Sequence, residues 1–296
     1  MSTPVNEGPT TIVACVNWVD LHPEVDPLSA AVHTDVRRGG FSDSDKAAVE
    51  VALNAAAASA AEVVVLSVAP AEAEAALLEL AASGAARAVR VDGDSSLSAA
   101  SVGRCLAETI VSLGRVSLVV CGDSGAEWGS GSVPGFIAHH LGVAQVLGVV
   151  EPPSFASVEP TGSGSRPGVF EAVRRLDGGR REVLEVSGPA VISVEGAVAR
   201  LRRAPLGAVL SWQRRGVEVL GSAAARPAGF VTENTAPIRP RARSFAAPHG
   251  DRALDRIVEL TGALVERTPP RTVDAEPAEA AAVIVEQLRA WGYLES

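Results

Sequence analysis

Two hydrophobic rhythms alternate along the first half of the chain. Thr10 to Val16 (TTIVACV), Val63 to Val68 (VVVLSV), Ala88 to Val91 and Ser117 to Cys121 (SLVVC) are short, nearly continuous apolar runs, the pattern of strands buried on both faces. Between them lie stretches of helical type. Ser42 to Ala58 opens on the capping residues Ser42 and Asp43 and continues in Ala and Leu, and Ala71 to Ala82 and Ser98 to Leu113 follow the same scheme. Strand, helix, strand, helix with short connections predicts a parallel sheet covered on both faces, an α/β architecture.

After Val150 the rhythm changes. Phe170 to Arg175 and Arg181 to Val186 flank Asp177-Gly178-Gly179, which predicts a β-hairpin whose turn needs positive φ. A strand over Ala190 to Val194 follows Pro189, and Arg200 to Arg215 then carries five arginines around Ala204-Pro205-Leu206-Gly207. Gly221 to Gly250 is rich in Pro, Ala and Arg and reads as a linker or extended arm. Asp251 to Arg267 predicts a helix stopped by Pro269 and Pro270, and Ala278 to Trp291 a final amphipathic helix. The domain organisation expected from this is an α/β domain over residues 1–220, with hairpin and arginine segment included, and a C-terminal arm over 221–296.

In open parallel sheets a ligand lies outside the carboxyl ends of the strands, where backbone N–H groups are free. Here those ends are Ala14 to Trp18, Val68 to Pro70 and Gly122 to Gly135. The last, GDSGAEWGSGSVPG, holds five glycines and three serines and leads into Phe136 to Leu141, so a pliant backbone meets a helix start. This suits an anion or a nucleotide. It also suits a plain turn, because neither a GxGxxG nor a Walker lysine pattern is present.

Composition narrows the classes of function. The 296 residues are 47% hydrophobic and carry a net charge of −9. That supports a sizeable core and disfavours nucleic acid as the main partner, since phosphate neutralisation needs a concentrated basic excess. No apolar run reaches the roughly 18 residues of a spanning helix. Asn6, Glu7 and Pro9 interrupt any signal-peptide core near Met1, so a soluble cytoplasmic protein without membrane insertion is expected. Cys15, Cys105 and Cys121 lie apart within apolar runs and read as buried thiols.

No catalytic set emerges. His139 and His140 are adjacent on a predicted helix without an HExxH frame, which makes them surface residues and no metal pair. Asp20, His22, Glu24 and Asp26 lack the glycine and final glutamate of a calcium loop and read as a solvated loop. Ser124, Ser130 and Ser132 lack a nucleophile elbow and an activating base. Trp128 within the glycine loop is either a packing residue or a ligand contact. Arg200, Arg202, Arg203, Arg214 and Arg215 around Leu206 form either a solvated basic face or a docking site with one apolar anchor and a charged rim.

Taken in order, seven segments resemble the β subunit of electron transfer flavoproteins from about Thr11 to Leu294: IVACVNWVD, FSDSDKAAVEVAL, LSVAP with the helix after it, GAARAVRV, LDGGRREVLEV with PAVISVEG, RRAPLGAVLSW, and ERTPPRT with the helix through LRAWGYL. The resemblance implies a Rossmann-like (adenine nucleotide alpha hydrolase-like) doubly wound parallel sheet with an added β-hairpin and a C-terminal arm that embraces a partner. It implies an electron carrier without catalytic residues of its own, paired with an α subunit that holds most of the redox FAD. AMP contacts are implied at Ala14, at Ser42, Asp43, Ser44 and Asp45, at Val68, and along Gly122, Asp123, Ser124, Gly125, Gly129, Ser130, Gly131, Ser132 and Val133. Leu206 falls on the family's hydrophobic anchor, with Arg202 and Arg203 beside it.

Electrons would then pass from a donor dehydrogenase through FAD toward a quinone oxidoreductase. The sequence departs from the family's pattern at Val133 to Gly135, where its hydroxyl and amide are missing and Ser130 and Ser132 stand in. It departs again at Leu21 and Ser44, where flavin-adjacent aromatics are usual. That divergence points to a specialised donor dehydrogenase, such as one using the peptide-derived cofactor mycofactocin. Two other readings remain open: a bifurcating carrier with a second FAD in place of AMP, and a non-redox adenine-nucleotide-binding module.

Overall fold

In the computed structural model, the apolar run at the start of the chain becomes β1 (Thr11–Cys15), every residue of which is buried. The structure describes residues 10–93, 97–127, 129–155, 169–222, 236–237, 247–262, 272 and 274–294. Trp128, Pro269, Pro270, nearly all of ERTPPRT and most of 221–250 lie outside these, as does the end expected for the helix over 251–267.

After β1 come four short strands, β2 (Trp18–Asp20), β3 (Glu24–Val25), β4 (Val32–His33) and β5 (Gly39–Phe41), which pair as the antiparallel ribbons β2–β5 and β3–β4. The long helix α1 (Asp43–Ser59) follows. Ser42 caps it through a reciprocal box, its hydroxyl receiving the Asp45 N–H while the Asp45 carboxylate receives the Ser42 N–H. The remaining elements of the α/β part are β6 (Glu62–Ala69), α2 (Glu74–Ala81), β7 (Arg87–Asp92), α3 (Ala99–Ser112), β8 (Val116–Gly122), α4 (Ser132–Leu141) and β9 (Ala144–Val149). Then come β10 (Ser154–Phe155), the hairpin β11 (Val169–Arg175) and β12 (Arg181–Ser187), β13 (Ala190–Val194), α5 (Leu206–Arg215) and β14 (Glu218–Ser222).

Among the described residues ten strands form one sheet, in the order β10-β11-β9-β13-β8-β1-β6-β7-β14 with β12 on β11. The run from β9 to β14 is parallel throughout and the hairpin joins it antiparallel. Successive side chains of β1 point to opposite faces, so Ile12 and Ala14 enter the core beneath α1, α2 and α5, while Val13 and Cys15 enter the core beneath α3 and α4. This is a doubly wound Rossmann-like fold. The hairpin turn is the expected one, with Gly178 and Gly179 at φ 70° and 73°.

Several elements differ from the sequence expectation. Helix α2 starts at Glu74 because Ala71–Ala73, following Pro70, form a 3-10 turn without a side-chain cap. Helix α4 starts at Ser132, four residues before Phe136. Strands β9 and β14 were not foreseen. Both carry exposed positions, and a glycine at positive φ (Gly148, Gly221) interrupts each apolar run.

The chain divides into two compact units, Met1–Pro237 and Ile238–Ser296. The second holds α6 (Ala253–Thr261) and α7 (Pro277–Ala290). Leu254, Ile257 and Leu260 on α6 and Ile284 on α7 are exposed, as are Trp291 and Tyr293, which meet edge to face at 6.5 Å.

Helices α3 and α4 pack on one another at Gly103, where an added Cβ would stand 2.4 Å from the Phe136 Cβ. Since α4 opens the glycine-rich segment's far end, this close approach sets where that segment finishes. Gly103→Ala is expected to lower stability by about 1–3 kcal/mol through overpacking, read from urea denaturation followed by far-UV circular dichroism; an unchanged midpoint would refute the close packing of the two helices.

Candidate functional site

Strands β1 and β8 are neighbours, but the chain leaves them over opposite faces, by α1 toward β6 and by α4 toward β9. Such a reversal opens a crevice at the strands' carboxyl ends. Here the crevice is bounded by Val16 and Asn17 after β1, Gly122 to Ser124 after β8, and Glu195 and Gly196 after β13.

The N-terminus of α1 is wedged into it. The Asn17 N–H donates to Asp45 Oδ1 at 3.1 Å, and the Ser42 N–H and hydroxyl donate to Asp45 Oδ2 at 3.0 and 2.5 Å. The Ser42 and Ser44 hydroxyls lie 3.0 Å apart, and Ser44 Oγ donates to the Ser124 carbonyl at 3.4 Å. Such proximity requires glycine opposite. A Cβ on Gly122 would lie 2.7 Å from Ser44 Oγ, and one on Gly196 would lie 3.1 Å from the Ser44 nitrogen. On the other side of β1, the buried Ser67 hydroxyl donates to the Val16 carbonyl at 2.8 Å.

The glycine-rich loop folds on itself before α4. The Asp123 N–H donates to the Val194 carbonyl, Gly125 N–H to Ser130 O and Gly129 N–H to Gly125 O, with Gly129 at φ 60°. A Cβ on Gly131 would stand 2.2 Å from the Asp123 carbonyl oxygen, so this turn closes only around glycine. Gly131 caps α4 with no side chain, and the first turn of α4 holds no acid. The hydroxyls of Ser130 and Ser132 are exposed and 2.7 Å apart. The first turn of α1, by contrast, contains Asp43 and Asp45. Of the two helix starts, α4's is the one that favours an anion.

The expected contact residues therefore fall into three groups. Ser42, Ser44, Asp45, Gly122, Asp123, Ser124 and Gly125 come together in the crevice. Gly129, Ser130, Gly131, Ser132 and Val133 form its outer edge. Ala14 is wholly buried within β1, and Val68 stands half-buried at the end of β6. Asp43 is exposed and pairs with Lys46 at 3.4 Å. Asn17, Ser67 and Gly196 are additions to the expected contacts; Asn17 lies within the strand end Ala14 to Trp18 that the sequence marked, whereas nothing local singled out Ser67 or Gly196.

Cys15 and Cys121 are register partners on β1 and β8, both buried and unoxidised. The Cys15 neighbour and burial raise the Cys121 thiol well above its ordinary range, so it stays neutral. Burial pushes the Asp45 carboxyl up to about 6, against the hydrogen bonds from Ser42 and Asn17 that lower it.

Elsewhere the polar groups serve the fold. Asp20 receives the N–H groups of Asp35 and His22, and Asp26 those of Leu28 and Ser29. Hydrogen bonding by these amides lowers both carboxyls, and they brace the β3–β4 loop. His139 and His140 are exposed in the last turn of α4. Among the described residues no group of three or more His, Cys, Asp and Glu is placed to hold a metal.

From Glu195 a segment runs along α1 to Pro205, and Leu206 then opens α5 with 74% of its surface exposed. Arg203 is exposed beside it. Arg202 instead turns to α1 and binds Glu50 at 2.7 Å.

The electron transfer flavoprotein domain matches residues 31–215, from the edge of β4 through the last residue of α5. The chain belongs to the electron transfer flavoprotein family. The match takes in α1, the glycine-rich loop, the hairpin and the Leu206 segment. No curated protein matches the chain. Among the described residues no helix is long and apolar enough to cross a membrane.

Asp45 gives this flavoprotein-family chain a pH signature. Its folded pKa lies above that of an unfolded aspartate, about 3.9, so the folded chain binds more proton between the two values. Its stabilising contribution is full below about pH 4 and lost as pH rises through about 6. Denaturation midpoints should fall over that window, by up to about 3 kcal/mol in stability, and Asp45→Asn should flatten the fall; an equal slope in wild type and variant would contradict the assignment.

Proposed function

We propose that this chain is the β subunit of a heterodimeric electron transfer flavoprotein, holding AMP structurally and presenting Leu206 to a donor dehydrogenase. The observation that carries it is Leu206 itself: a large apolar side chain 74% exposed at the start of α5, with exposed arginines around it. A lone apolar anchor with a charged rim suits a transient electron-transfer encounter, where burial of one side chain gives affinity and rim charges steer approach. In this reading the α subunit holds most of the FAD, and the C-terminal unit, with its exposed apolar residues on α6 and α7, embraces that subunit. FAD supplies the redox chemistry and this chain supplies position and electrostatics. Electrons then leave for a quinone oxidoreductase.

The crevice fits an adenine mononucleotide by its chemistry. Its outer edge offers hydroxyls and the start of α4 to a phosphate, while the end of β6 offers backbone at Val68; the backbone at Val16 and Asn17 is taken up by Leu66, Ser67 and Asp45. No Lys or Arg stands between Gly122 and Val133, so the segment binds by dipoles. That suits a monophosphate better than a longer phosphate chain.

The test is co-purification of this chain with a neighbouring α-like flavoprotein, followed by acid release and chromatography of bound nucleotides. One FAD and one AMP per heterodimer is the expected result. Two FAD would mark a bifurcating carrier, FAD alone a crevice that has lost its nucleotide, and a colourless monomer would overturn the proposal. In the same complex Leu206→Ala should raise the KM for the cognate dehydrogenase about tenfold or more while leaving flavin content unchanged; an unaltered KM would remove Leu206 from the docking site.

A further inference from the structure

The segment between β13 and α5 is held to α1 at two points. At its start, Gly196 lies on the backbone of Asp43 and Ser44, so close that a Cβ there would meet both residues at 3.1 to 3.2 Å. Farther along, Arg202 reaches the side of the same helix. Its Nη2 donates to Glu50 Oε1 at 2.7 Å and to Asn54 Oδ1 at 2.7 Å, its Nε lies 3.0 Å from Glu50 Oε2, and its backbone N–H donates to that same oxygen at 3.0 Å. Val198 is buried and Ala199, Leu201 and Ala204 are half-buried against the core between and beyond these points. Immediately after the second point come Pro205 and the exposed Leu206.

Glu50 is the unusual member. It sits in the Ala-rich, buried stretch of α1, where a carboxylate costs free energy unless it is paired. Its partners are supplied almost wholly by a residue 152 positions away, through both side chain and main chain. A main-chain N–H held by a carboxylate fixes the path of the chain, and the guanidinium fork on the same carboxylate fixes its direction. Neither bond adds to a docking surface. Both determine where Leu206 points.

We propose that Glu50 and Arg202 form a latch that holds the 197–205 segment along α1 and thereby sets the pose of Leu206. They are positioning residues, and Arg202 is no part of the charged rim. The inference rests on the docking role proposed for Leu206, but the latch is measurable without any partner.

The experiment compares full-length wild type with Glu50→Ala, Glu50→Gln and Arg202→Gln, using hydrogen–deuterium exchange and limited digestion with trypsin. Loss of the latch should raise exchange of the amides over 199–206 and cleavage at the Arg203–Ala204 bond by about tenfold, with amides of β1, β8 and β13 unchanged. Glu50→Gln keeps an acceptor oxygen for the Arg202 N–H without the charge, so it should fall between wild type and Glu50→Ala. Should Glu50→Ala fail to fold, Arg202→Gln decides alone, since that side chain is 44% exposed and its removal leaves no buried void. Exchange and cleavage equal to wild type in a folded Arg202→Gln variant would overturn the latch, as would a uniform rise across all strands. Failure of the docking role shows separately, as an open segment in the variants with no change in the KM for the dehydrogenase.

Discussion

Everything in the candidate site depends on how closely the first turn of α1 enters the crevice between β1, β8 and β13. Glycines 122 and 196 remove the side chains that would hold it off, and Asp45 fastens it by accepting the Asn17 and Ser42 amides. A carboxyl is suited to that place because one group answers donors from two chain segments at once. Its cost is burial of a potential charge, expressed in a pKa pushed up to about 6. The wedge thus trades electrostatic ease for geometric definition, and it fixes the neighbouring loop from Gly122 to Gly125.

The same helix serves a second purpose. Its start shapes the crevice while its flank, through Glu50 and Asn54, carries the segment that leads to Leu206. Small residues make this possible, since Ala47, Ala48, Ala52, Ala55 and Ala56 let α1 lie flat on the sheet. A rigid, well-packed rod is what a nucleotide end and a docking end need if they are to keep a constant relation. In the proposed reading the crevice holds its nucleotide structurally, and the pose of Leu206 follows from the same helix.

Much of the fold was legible because it is written in short range. Continuous apolar runs marked β1, β6, β7 and β8, Ser42 and Ser98 marked helix starts, and Asp177-Gly178-Gly179 marked the hairpin turn. Of the site, the strand ends and the glycine-rich loop were visible for the same reason. What escaped was long-range. Arg202 looks like one of five surface arginines until Glu50 is found beside it, and Gly196 looks like an ordinary loop glycine until α1 is found against it. Edge strands such as β14 escaped because one side lacks a partner, so the apolar pattern thins and a glycine breaks it.

Two helix starts open onto one loop, and their charges differ. The dipole of α1 is met internally by Asp45, with Asp43 adding further negative charge at its mouth. That of α4 meets no acid, no capping side chain and two exposed serine hydroxyls. In the proposed reading an anion in the crevice faces the start of α4 in preference to that of α1, with Asp123 and Glu127 as the acids of the intervening loop. With no arginine or lysine in the loop, attraction comes from N–H and O–H dipoles of fixed position, so orientation is selected more strongly than charge. The serines at 130 and 132 are hydrogen-bonded to each other at 2.7 Å, so one hydroxyl proton of the pair is engaged within it and the other is left to face an anion.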